Sequence, residues 1–188
     1  MTKISSICVY CGASDAVDPR YIQLAERLGR ELAKRDIRLV YGGGGVGLMG
    51  ACARSAHEAA GEVLGIMPKF LLQKERIFTD VEHRIVDDMH TRKMMMFEEA
   101  DAFIVLPGGI GTLEEAVEIL SWARLGLHAK PMAFLDEDGF WTPFFELMGH
   151  IIDGKFTPES FRDMLVHCAT PDEAIDALCD RIVRLDGT

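Results

Sequence analysis

Ala102-Phe103-Ile104-Val105-Leu106 runs without a polar side chain into Pro107-Gly108-Gly109-Ile110-Gly111-Thr112-Leu113-Glu114-Glu115. Five consecutive apolar residues read as a strand buried on both faces, the habit of parallel sheets. The glycines beyond it let the backbone turn tightly and come close to a ligand, and a helix is expected to follow. Strand, glycine turn and helix make a phosphate cradle, because the free N–H groups of a first helical turn attract an anion with the helix dipole behind them. Thr112 adds a hydroxyl donor. Glu115, three residues on and therefore on the same helix face, adds a carboxylate that does not neutralise phosphate and so points to chemistry beyond holding it.

The same strand signature recurs at Ile7-Tyr10, Leu39-Tyr41, Val63-Ile66 and Met132-Leu135, with helical patterns between. Asp18 can cap a helix that starts at Pro19 and repeats Leu24, Leu28 and Leu32 on one face before Asp36. Leu48-Ala60, Met89-Ala100 and Thr112-Leu125 read as further helices, and Thr170-Pro171-Asp172-Glu173 is a capping box opening the last one. Strand and helix alternate, which predicts a doubly wound, Rossmann-like α/β fold with a parallel sheet. At 188 residues the chain is expected to form one domain, 1–188. Pro68-Asp88 is the least regular stretch, and its Lys, Glu and Arg residues are expected to form a mobile wall of the site.

A second glycine cluster, Gly42-Gly43-Gly44-Gly45-Val46-Gly47-Leu48-Met49-Gly50, also follows a strand and precedes a helix. It satisfies G-x-G-x-x-G in two registers. The acidic ribose-binding residue expected at the end of the next strand is missing near Met67-Pro68-Lys69, which disfavours a dinucleotide-binding dehydrogenase. Two glycine loops at the carboxyl edge of one sheet can instead address two ends of a mononucleotide. Arg92 and Lys93 are the nearby cations; near a helix N-terminus they oppose the dipole, a cost that favours a functional role. A Schiff base between Lys93 and pyridoxal phosphate lacks the partner residues that cofactor needs. Glu114 and Glu118 read as acidic residues that suit a helix start.

The net charge of -10 disfavours binding to nucleic acid, which needs clustered Lys and Arg. No basic segment leads into a long apolar run, so neither export nor membrane insertion is signalled and a cytoplasmic location is expected. Five scattered cysteines, Cys8, Cys11, Cys52, Cys168 and Cys179, suit reduced buried thiols; Cys8 and Cys11, three apart on a strand, face opposite ways. His57, His90 and His128 lack metal-ligand spacing. Met94-Met95-Met96-Phe97, Trp122, Phe140, Trp141, Phe144 and Phe145 read as core or subunit interface.

Taken together these residues resemble the Lonely Guy (LOG) family of cytokinin riboside 5′-monophosphate phosphoribohydrolases. The P-G-G-x-G-T-x-x-E signature stands at Pro107 to Glu115. Gly42-Gly43-Gly44 to Gly47-Leu48-Met49-Gly50, Met89-His90 with Arg92-Lys93, and Trp122 to Pro131 around Leu125-Gly126 and His128 are similar too. The resemblance implies hydrolysis of the N-glycosidic bond of a nucleoside 5′-monophosphate to free base and ribose 5-phosphate, with no metal or organic cofactor. It implies Arg92 and Glu115 as catalytic residues. Gly43, Gly44, Gly47, Met49, Lys93, Gly108, Gly109, Ile110, Gly111, Thr112, Leu113, Glu114 and Ser121 are then the expected substrate contacts, with Ser121 standing where many plant members have Thr. A homodimer with the site close to the subunit interface is implied as well. Glu115 can stabilise an oxocarbenium-like state or orient water, and Arg92 can neutralise phosphate or assist departure of the base. Two other readings use the same loops: a nucleotide sensor that does not cut its ligand, and a nucleosidase for ordinary purine or pyrimidine monophosphates.

Overall fold

The expected buried strands form in the computed structural model, which describes residues 4–72 and 76–186. They are β1 (Ser6–Tyr10), β2 (Arg38–Tyr41), β3 (Val63–Pro68), β5 (Ala102–Val105) and β6 (Met132–Leu135). Two strands not anticipated, β4 (Glu82–Val86) and β7 (Val166–Cys168), close the edges. All seven pair in parallel in the order β4-β3-β2-β1-β5-β6-β7. The stretch 68–88 is therefore less irregular than its composition suggests: it holds the end of β3, a 3-10 turn at Lys69–Leu71 and all of β4.

Among the described residues, six α-helices cover the two faces. The helices α1 (Pro19–Lys34), α2 (Gly47–Glu58) and α6 (Pro171–Asp186) bury Leu24, Leu28, Leu32, Ala53 and Leu178 against one side. On the other, α3 (Met89–Glu98), α4 (Ile110–Arg124) and α5 (Thr142–Asp153) contribute Met96, Ile119, Leu120, Phe144 and Ile152. Asp18 caps α1 by accepting from Arg20 N at 3.0 Å, with Pro19 opening the helix. The capping box before α6 is reciprocal: Glu173 N donates to Thr170 Oγ1 and Thr170 N to Glu173 Oε2.

Cys8 and Cys11 point into the two opposite cores, as their spacing requires, and all five cysteines are free thiols. Burial pushes the thiols of Cys8, Cys11 and Cys52 well up, which makes them inert. Trp141 and Phe144 are core residues, and Trp122 and Phe145 pack against that core. No helix among the described residues is long and apolar enough to cross a membrane.

Candidate functional site

The chain reverses its winding between β1 and β5, the neighbouring strands from which the sheet grows in opposite directions. In open parallel sheets ligands bind in the crevice that such a reversal leaves at the carboxyl edge. A cavity of ≈ 420 Å3 lies there, lined by Cys11, Gly12 and Ala13 after β1, Met49 on α2, Phe70 and Leu71 after β3, Met89 and Arg92 on α3, and Gly109, Gly111, Thr112, Glu114 and Glu115 after β5. A larger cavity of ≈ 540 Å3 opens at the opposite, amino-terminal edge beside Pro131 and Met132, far from these groups.

The first turn of α4 presents a set of free donors. Leu113 N donates to Gly109 O, but Ile110, Gly111 and Thr112 N–H have no acceptor among the described residues, and no side chain caps the helix at Gly109. Among the described residues, chain neighbours and the backbone of α4 aside, nothing lies within 4 Å of where a Cβ on Gly109 or Gly111 would stand, so an anion can come up to the backbone. Gly108 contributes in another way. A Cβ there would overlap the Thr112 side chain, so its absence lets Thr112 fold back over the turn.

Arg92 and Glu115 meet at the floor of this cavity. Arg92 Nε donates to Ile66 O (3.1 Å) and Nη2 to Gly42 O (3.3 Å), and Nη1 lies 3.3 Å from Glu115 Oε1. A Cβ at Gly42 would occupy the position of Nη2, so that glycine makes room for the guanidinium. Both side chains are almost wholly buried. Burial pushes the Glu115 carboxyl up to about 7, with Arg92 pulling the other way and the neighbouring Glu114 adding to the rise. A carboxyl poised near neutrality in a pocket beside a fixed cation is suited to proton transfer or to facing a developing positive charge.

The second glycine loop is built differently from the first. Gly12 O accepts from Leu48 N (3.0 Å) and Met49 N (3.3 Å), and Asp15 Oδ1 accepts from Gly47 N (2.8 Å). The N-terminus of α2 is thus already occupied by the β1 loop. Gly47, at φ +58°, seats that loop: a Cβ would come within 2.7 Å of Ala13 C and Ser14 O. Of this loop's expected contacts only Met49 lines the cavity; Gly44 is bridged to Ile77, and Gly43 lies against Met67.

Other expected contacts also lie outside the lining. Leu113 packs into the core beneath α4, the Ile110 side chain is 83% exposed, and Ser121 sits two turns farther along the helix. Lys93 Nζ donates to Glu114 Oε1 (2.6 Å) and Glu118 Oε1 (3.0 Å), tying α3 to α4, so these two carboxylates do more than suit the helix dipole. His128 is a brace, with Nε2–H donating to Ile119 O and Nδ1 accepting from Lys130 N. Sequence reasoning missed Gly12 and Ala13 as cavity walls, although the place of Gly12 just beyond β1 was a signal for it. It did place a wall in 68–88, but on the charged residues of that stretch, whereas Phe70 and Leu71 line the cavity there.

Residues 49–178, more than half of the chain, match the family described as "Possible lysine decarboxylase". Over 178 residues the chain is 42% identical to the probable cytokinin riboside 5′-monophosphate phosphoribohydrolase LOGL2 of Oryza sativa subsp. japonica, covering 94% of this chain and 73% of that one. The chain belongs to the LOG family. A second LOG relative, cytokinin riboside 5′-monophosphate phosphoribohydrolase LOG3 of Arabidopsis thaliana, is 41% identical across 94% of this chain and 83% of its own. Among solved structures, the molybdenum cofactor binding protein from Rippkaea orientalis matches with a TM-score of 0.68 at 20% identity over 100% of both chains. The Moco carrier protein from Chlamydomonas reinhardtii gives 0.71 at 18% identity, covering 97% of this chain and 99% of that one. At such identities they share the fold with this LOG chain and nothing more is implied. The pyridoxal cofactor of a lysine decarboxylase does not suit this LOG site. Partial burial disfavours the charge on Lys93 Nζ, the amine a Schiff base would need, but the Glu114 and Glu118 carboxylates engage it and raise its pKa.

Proposed function

We propose that this protein hydrolyses the N-glycosidic bond of nucleoside 5′-monophosphates of the cytokinin type, giving free base and ribose 5-phosphate without metal or organic cofactor. The observation that carries this reading is the buried Arg92–Glu115 pair next to the unsatisfied N-terminus of α4 in one cavity. Phosphate takes the N–H groups of Ile110, Gly111 and Thr112 and the Thr112 hydroxyl, which fixes the ribose above Glu115. As the C1′–N bond breaks, positive charge grows on the ribose. Ionised Glu115 stabilises that charge and takes a proton from the water that adds to C1′, the proton then passing to the nitrogen of the departing base, while Arg92 neutralises phosphate or supports that base. Lys93 serves by holding α3 against α4 through Glu114 and Glu118.

The names of the LOG relatives supply the substrate class. We further expect a cytoplasmic homodimer that binds no nucleic acid. In support of a dimer, Met94 on α3 and Ile110 and Val117 on α4 are large apolar side chains left exposed on the two helices that Lys93 ties together. Sedimentation at micromolar concentration tests that expectation, and a monomer overturns it.

The activity is tested by incubating the pure protein with isopentenyladenosine 5′-monophosphate and with AMP and assaying free base. Glu115→Gln is expected to bind both and to lose most turnover. Tight binding without product from the wild type would make the protein a nucleotide sensor instead.

A further inference from the structure

Resting on the hydrolase reading above, we infer that Phe70 is the stacking platform for the base, and that Leu71, Met49 and Met89 form the wall that decides which base substituents are accepted. The cavity draws its lining from the segments after β5, β1, β2 and β3, in their order across the sheet, and from α3 after β4. At about 4.8 Å per strand, β3 lies roughly 14 Å from β5. With phosphate on the first turn of α4 and the ribose over Glu115, the base extends toward β2 and β3. The side chains waiting there, Met49, Phe70, Leu71 and Met89, carry no N–H or O–H group. Among the described residues at that end, stacking and dispersion are therefore what the lining side chains offer a base.

Phe70 is suited to stacking because the residue is 47% exposed while lining the cavity. Its backbone is held on both sides. The β3–β4 ladder continues to Pro68 and Val86, two residues before Phe70. Lys69 Nζ pairs with Asp87 at 2.5 Å, and Leu72 N closes the 3-10 turn onto Lys69 O. A platform anchored to the sheet can order a base without first being ordered itself. An apolar wall also discriminates in a characteristic way: it favours added methylenes modestly and rejects little, unlike a pocket that must satisfy buried polar groups.

The test is a comparison of ligands with and without a base. Affinities of ribose 5-phosphate, AMP and isopentenyladenosine monophosphate are measured by calorimetry on the Glu115→Gln background, and KM and kcat on the wild-type background, for Phe70→Ala, Phe70→Trp and Leu71→Asn. Phe70→Ala is expected to weaken both nucleotides roughly 5- to 150-fold, the span that base–aromatic stacking commands, and to leave ribose 5-phosphate within about twofold. Phe70→Trp restores binding. Leu71→Asn narrows the preference for the isopentenyl compound over AMP by about tenfold. Equal weakening of all three ligands, or unchanged nucleotide affinity, overturns the inference. Wild-type protein that binds nucleotides but releases no base overturns the hydrolase reading alone, since the binding comparison still reports on Phe70.

Discussion

Arg92 Nη1 stands 3.3 Å from Glu115 Oε1 across the gap between α3 and α4, with each side chain only 8% exposed. The guanidinium does not depend on the carboxylate for its place, because Ile66 O and Gly42 O hold its other nitrogens. The carboxylate does depend on the guanidinium: burial disfavours its charge and Arg92 offsets part of that penalty.

Removing the cation should therefore be read in Glu115. Arg92→Met is expected to cut kcat roughly 10²-fold or more and to move the Glu115 titration above about 7, because the opposing charge is gone. Arg92→Lys should fail to restore rate, since a compact ammonium cannot reach the three separate oxygens that the three guanidinium nitrogens meet. A pH–rate profile of the residual activity checks both outcomes, and an unmoved inflection would contradict the coupling.

Stability should carry the opposite signature from an ordinary ion-paired carboxylate. Glu115 titrates near 4.5 when unfolded and at about 7 when folded, so between those values the folded chain holds the extra proton. Its contribution is fully present below about pH 4.5 and lost as pH rises through about 7, a difference of roughly 3 kcal/mol at most. Glu115→Gln removes this slope. The variant is expected to melt higher than wild type at pH 8 and close to it at pH 4.5, by calorimetry across that range.

Phosphate affinity should respond to the first turn of α4 in a graded manner. Thr112→Ala removes one donor to a dianion and should weaken ribose 5-phosphate roughly 10-fold or more. Gly108→Ala should do at least as much, since its Cβ would collide with Thr112 and displace the hydroxyl. Unchanged binding in both variants would move the phosphate away from α4.

At the other helix end, Asp15→Ala deprives Gly47 N of its 2.8 Å acceptor. Loss of a cap costs about 1 kcal/mol, or ~2–4 °C in a chain of this size. Asp15→Asn, which keeps an acceptor oxygen, should recover most of it in a thermal melt.

How much of this could be read from residues alone follows from burial. Ile7-Tyr10 and Ala102-Leu106 are apolar because both faces of the central strands are covered, so they announce themselves. Glu82–Val86 and Val166–Cys168 are edge strands, one mostly polar and one three residues long, and neither pattern resembles a buried strand. The Pro107-Glu115 cradle was legible because glycine, threonine and carboxylate each have a chemical reason to be there. The two glycine loops looked alike in sequence, yet only one is open. What closes the other is chiefly a backbone carbonyl, that of Gly12, and a carbonyl leaves no mark on residue identity. The stretch after β3 was read as a wall of the site, but that Phe70 and Leu71 and not its charged residues line the cavity follows from tertiary placement, which local pattern does not encode.

The capped N-terminus of α2 bears on inhibitor chemistry. A compound with two anionic arms finds one receptive helix end, at α4, and meets the Gly12 carbonyl and the Asp15 carboxylate at the other. The second arm then carries its own desolvation cost with no donor to meet it. Potency against this protein is expected to rise with a single dianionic head joined to a flat apolar tail, and to fall as charge is added at the far end.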